Sequence, residues 1–97
     1  MFILVMRFVI RLSWSHSLKD KRKVKRSLVD SMRNRYNVSV KEVEAQDAQQ
    51  TLVIGLSYTA LSQSEAEQMS ETFTDYIYEN SEGEVSLVEQ DIFTFYS

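Results

Sequence analysis

The residues best suited to chemistry lie in one stretch, Ser17 to Tyr36 (SLKDKRKVKRSLVDSMRNRY), which holds eight of the chain's eleven Lys and Arg residues. They are Lys19, Lys21, Arg22, Lys23, Lys25, Arg26, Arg33 and Arg35. Ser17 followed three residues later by Asp20 marks a helix start, where free backbone N–H groups and a positive dipole end favour anions. Cations gathered there form a candidate phosphate or nucleic-acid site, assigned to His16, Ser17, Lys19, Lys21, Arg22, Lys23, Arg26 and Arg33. The pairs Lys19/Lys23, Lys21/Lys25 and Arg22/Arg26 repel, each at a cost of about 0.2–0.5 kcal/mol. The competing reading is a solvated face, partly neutralised by acids elsewhere in the chain.

Other chemistries are thinly supported. His16 is the sole His and there is no Cys, which leaves no partner for a nucleophilic triad and no Cys/His set for zinc. His16 could touch a phosphate or simply cap or pack, and Trp14 could stack on a base or cover the sheet end. Glu42 and Glu44, two apart in an alternating segment, are expected on one strand face with Asp47 just beyond. Such a pair could hold Mg²⁺ or move protons, or be a solvated edge. The two isolated glycines, Gly55 and Gly83, cannot build a glycine-rich phosphate loop. A binding protein without cofactor is therefore expected, not an enzyme.

Positioning these groups falls to a chain of 97 residues, enough for one domain over residues 1–97 with one core. Pro is absent and no low-complexity tract occurs, which argues against linkers and disorder. The apolar start, MFILVMRFVIRLS, is interrupted by Arg7 and Arg11 and lacks a basic leader, so a buried strand is expected rather than a membrane span. Lack of Cys fits a reducing compartment, with the cytoplasm as the default. The net charge of −3 hides a steep polarity. Residues 1–41 carry eleven basic and two acidic residues; residues 42–97 carry twelve acidic residues and neither Lys nor Arg.

Apolar residues at every even position from Phe2 to Leu12 give a strand with one fully buried face, while the odd face mixes Ile3, Val5 and Val9 with Arg7 and Arg11. At 100° per residue, Leu18, Val24, Leu28, Val29, Met32 and Tyr36 form the core arc of a helix over residues 18–36. Arg22, Arg26, Arg33, Lys19 and Lys23 form an adjacent positive stripe. Lys21, Lys25 and Arg35 fall inside the apolar arc and are expected to snorkel or lie beyond the sheet edge. Val38 and Val40 begin a second strand reaching about Ala45, with Val43 out of phase, the sign of a bulge. Thr51 to Ala60 alternates cleanly as a third strand. Ser62 and Glu65 cap a second helix whose apolar side holds Ala66, Met69, Phe73, Tyr76 and Ile77, opposite Glu67, Glu71, Asp75 and Glu79. A last strand runs from Val85 towards Tyr96, irregular near Glu89 to Asp91.

The order strand, helix, strand, strand, helix, strand predicts an α+β fold, a ferredoxin-like βαββαβ sandwich with a four-stranded antiparallel sheet and two helices on one face. The RNA recognition motif shares this order, but TLVIGLSYT lacks its Gly and aromatic consensus. Acylphosphatase-like catalysis would need a glycine-rich loop after the first strand, which SWSHS is not. The other sheet face would stay open, exposing Val5, Arg7, Val9, Arg11 and Val53 near the aromatics Phe93, Phe95 and Tyr96. It is expected to meet another chain, most simply in a homo-oligomer.

The segments His16-Ser-Leu-Lys-Asp-Lys-Arg and Arg33-Asn-Arg-Tyr-Asn-Val-Ser-Val, with Glu42-Val and Gln46-Asp47, resemble the YlxP-like family of small uncharacterised bacterial proteins. The resemblance spans nearly the whole chain and implies a ferredoxin-like fold with no established activity. It also implies a gene that often lies among translation factor genes, and hence an RNA or ribosome association. The chain departs from the family pattern at Lys25 and Lys41, which add to the basic patch, and at Ala48 and Gln49, which weaken any apolar contact by that turn.

Overall fold

A computed structural model describes residues 1–95; Tyr96, grouped above with the exposed aromatics, lies outside them. The elements run β1 (Phe2–Arg11), α1 (Leu18–Arg35), β2 (Ser39–Glu44), β3 (Thr51–Ala60), α2 (Gln63–Asn80) and β4 (Glu84–Thr94). The strands form one antiparallel sheet in the order β2-β3-β1-β4. With two helices packed on it, this is the expected ferredoxin-like α+β sandwich.

Alternation decides which face the helices cover. Leu4, Met6, Phe8 and Ile10 of β1 and Leu52, Ile54 and Leu56 of β3 point to the helix side and are buried. They meet Val24, Leu28, Val29 and Met32 of α1 and Ala66, Phe73 and Ile77 of α2. Tyr36 and Phe73 meet edge to face with centroids 5.2 Å apart, and Tyr36 and Tyr76 at 5.6 Å, so aromatic rings fill the seam between the helices. The Tyr76 hydroxyl donates to Ser31 Oγ across that seam at 2.7 Å.

Both helices start in the same way. Ser17 Oγ accepts from the Asp20 N–H and Ser62 Oγ from the Glu65 N–H, while each acid accepts from the backbone one residue before the cap, at His16 and Leu61. Tyr58 extends the second cap by donating to Glu65 Oε2 at 2.8 Å. That hydrogen bond first, then burial and the carboxylate charge, holds the Tyr58 phenol above its ordinary pKa of 10.0.

Two bulges depart from simple pairing. In β2, Glu42 sits opposite Ile54 and Glu44 opposite Val53, leaving Val43 as the extra residue. Glu42 therefore faces the helices and Glu44 the open side, which corrects the expectation that both share one face. The strand ends at Glu44, close to the expected end, because Ala45 turns into the left-handed region at φ 56°. In β4, Arg7 pairs with Glu89 and Phe8 with Leu87, so the irregularity falls at Val88, just before the expected Glu89 to Asp91.

Two measurements check this packing. A Cβ on Gly83 would overlap the Arg11 carbonyl oxygen and lie 2.8 Å from Leu12 Cδ2, so Gly83→Ala is expected to destabilise by about 2 kcal/mol in urea unfolding. The raised Tyr58 pKa contributes stability that is fully present below pH 10 and is lost as pH rises through the folded-state value. Tyr58→Phe is expected to remove that alkaline loss, read as a flatter unfolding midpoint against pH above 10.

Candidate functional site

The helix α1 lies over the β2 edge of the sheet, and the charged groups divide according to which side of the helix they leave. Arg22, Lys25, Arg26, Val29, Asp30 and Arg33 line one wall of a groove of about 460 Å³, and Lys41, Glu42 and Gln46 line the other. Five cations thus face two acids. Arg22, Arg26, Arg33 and Lys41 are exposed, and Lys25 is half-buried. Arg33 also donates from Nη2 to the Val40 carbonyl at 2.9 Å, which fixes the far end of the groove against β2.

Beneath the groove lies Lys21, with 1% of its surface exposed. Its ammonium donates to the carbonyls of Ala45 at 2.9 Å, Gln46 at 3.0 Å and, more weakly, Thr51 at 3.4 Å. Glu42 Oε2 lies 2.9 Å away and completes a buried ion pair. Glu42 Oε2 has no hydrogen-bond partner of good geometry, so the pair is held by charge. Glu42 Oε1 is shared with Lys25 at 3.7 Å. Lys21 neither snorkels nor faces a ligand. Assigned above to the anion site, it is withdrawn from it because its charge is neutralised and its donors are satisfied inside the protein.

The remaining assigned residues also separate. Ser17 Oγ and the His16 N–H are engaged in the helix cap, and neither residue borders the groove. The carboxylate of Asp20 already sits at the helix start, where a phosphate was expected to dock. Lys23 lies on the other flank, lining a hollow with Trp14, Asp20, Val24, Ser27 and Glu82. Lys19 is exposed between the flanks. Trp14 is 42% exposed, and its indole N–H donates to the Glu82 carbonyl at 2.8 Å, tying the β1–α1 connection to the end of α2. The structure thus brings together Arg22, Arg26 and Arg33, and adds Lys25 and Lys41 to them.

One sequence signal pointed to this arrangement. Lys21 and Lys25, one turn apart inside the apolar arc, need an acid on the strand beneath, and Glu42 is the acid of β2 that faces the helix. Glu44 instead pairs across the open face with Arg7, so the two carboxylates cannot share a metal ion. Among the described residues no set of three or more His, Cys, Asp or Glu side chains is placed to hold a metal. None of the described helices is long and apolar enough to cross a membrane.

On the open face, Arg7 is the centre. Its guanidinium pairs with Glu44 of β2 and with Glu89 of β4, the latter at 3.3 Å, while its Nε is buried without a partner. Val5 is exposed, Val9 is half-buried and Arg11 is exposed, but Val53 is covered by its own chain to 5% exposure and offers little to another.

Residues 3–90 match the protein family described as Protein of unknown function (DUF503). No curated protein matches the chain.

Lys21 gives a direct test of the clamp under the groove. Lys21→Met leaves Glu42 charged and three carbonyls unpaired, and is expected to cost about 3–5 kcal/mol in urea unfolding. Adding Glu42→Leu to that variant is expected to recover much of the loss.

Proposed function

The chain belongs to that family of unknown function, and we propose that it is a non-enzymatic, cytoplasmic RNA-binding protein whose ligand lies along the α1–β2 groove. The observation that carries this reading is the five-cation lining of Arg22, Lys25, Arg26, Arg33 and Lys41 on one open groove. Arg22 and Arg26 are about 6 Å apart along the helix axis, and Arg33 lies about 10 Å further. That gives one guanidinium per turn or two, a row suited to successive phosphates of one strand. Lys21 supports the reading indirectly, because it takes up much of the Glu42 charge from below and leaves Asp30 as the main acid offsetting the groove cations. The resemblance to YlxP-like proteins, with its association to translation, favours RNA and the ribosome over other polyanions.

The acidic face of α2 does not neutralise this row. Glu67, Glu71, Asp75 and Glu79 are exposed on the second helix, which packs towards β1 and β4 rather than β2. Positive and negative surfaces are therefore held on opposite edges of one small domain.

The experiment is fluorescence anisotropy with a labelled single-stranded RNA at several salt concentrations. Three to four phosphate contacts predict a slope of about −2 to −3 in log affinity against log salt. The double substitution Arg22→Glu with Arg26→Glu is expected to weaken binding by at least about tenfold and to flatten that slope. Salt-independent binding, or equal binding by the charge-reversed protein, would show that the groove is not the site.

A further inference from the structure

We propose that the open face of the sheet is covered by a second copy of this chain, in a two-fold dimer that leaves the Arg22, Arg26 and Arg33 wall of each basic groove free. The face carries exposed apolar side chains on three of its four strands: Val5 on β1, Val43 on β2 and Phe93 on β4, at 38%, 44% and 49% exposure. Arg7 lies among them with its Nε buried and unpaired. A single chain leaves this surface unfinished.

The order of charges across the face selects the occupant. The strand order is β2-β3-β1-β4, and Lys41, Gly55, Arg7 and Glu89 lie in one row across it. Lys41 takes part in no ion pair among the described residues, whereas β4 presents Glu89 and Asp91. A two-fold axis between the sheets and parallel to the strands places β4 of each copy over β2 of the other. The acidic row then meets Lys41 twice, once in each direction, and β1 meets β3. An aligned packing of this kind is a common way for two sheets to meet, at roughly 30°. A partner with a different sequence would need the same pattern; a second copy has it by symmetry.

Shape and area agree with charge. The face is hollowed over Gly55 and Ser57 into a groove of about 340 Å³, bordered by Val5, Val43 and Lys41. The same axis brings β4 of the partner along that hollow, with Asp91 at its Ser57 end and Phe93 just beyond it. Four strands of six to eleven residues, about 4.8 Å apart, present roughly 600 Å² per copy. About 1,200 Å² in total is at the lower end of specific interfaces and fits a dimer held at micromolar concentrations.

Sedimentation velocity on the full chain, at protein concentrations from about 1 to 100 µM, tests the proposal. A mass twice 11.3 kDa is expected at the upper end. Val5→Glu would bury an unpaired charge, and a rise in the dissociation constant of at least about 100-fold is expected. Circular dichroism checks that this variant keeps its fold. Lys41→Glu and Glu89→Lys are each expected to weaken the dimer, and an equimolar mixture of the two to restore it, since both cross pairs are then opposite in charge. A folded monomer throughout the range overturns the proposal and leaves the face to a different partner. A dimer unmoved by Val5→Glu, or a charge-swapped mixture no tighter than either variant alone, overturns it equally.

Discussion

The interaction on which this architecture depends is the buried ammonium of Lys21. It joins three parts of the chain that are far apart in sequence: the first turn of α1, the bulged end of β2, and the turn into β3. Ala45, with φ 56°, and Gln46 aim their carbonyls inward, where backbone acceptors would be costly without a donor. A Leu at position 21 would suit the helix pattern but would strand those carbonyls and the Glu42 carboxylate. Charge at this position therefore serves the packing of the turn. The cations that remain for solvent are those one helical step to either side.

Periodicity made the fold legible. Alternation in β1 and β3 and the 100° arcs of α1 and α2 identify nearly every buried side chain, because each element presents one simple boundary between core and water. The site was only partly legible, for two physical reasons. Lys21 looks like its neighbours Lys19, Arg22 and Lys23 in any reading of composition, and only the position of the β2–β3 turn above it distinguishes a structural cation from a surface one. The bulge at Val43 reverses the facing of the residues after it. A two-residue spacing thus placed Glu42 and Glu44 together when the pleat sets them apart. Lys41 was read as part of a basic patch, but its place opposite α1 depends on β2 being the outer strand beside that helix.

The polarity of the sequence becomes a polarity of the molecule because of strand order. β2, beside α1, and β4, beside α2, are the two outermost strands, so the basic first half and the acidic second half lie at opposite edges. The centre of the open face is where they meet, and Arg7 bridges acids drawn from both sides, Glu44 and Glu89. Separation of this kind lets the basic edge attract an anion at close range, although the net charge of −3 repels it at distances beyond the size of the domain.

The two bulges matter beyond the residues they reorient. β2 and β4 are the strands with unpaired backbone groups along their outer sides, and each is interrupted, at Val43 and at Val88. A flat outer strand invites another chain to add itself to the sheet and to go on adding, the route to fibres. An extra residue breaks the regular run of donors and acceptors such a recruit would need. Both margins of this sheet are therefore poor templates for growth, and the protein can carry eleven aromatic side chains in 97 residues while discouraging runaway polymerisation.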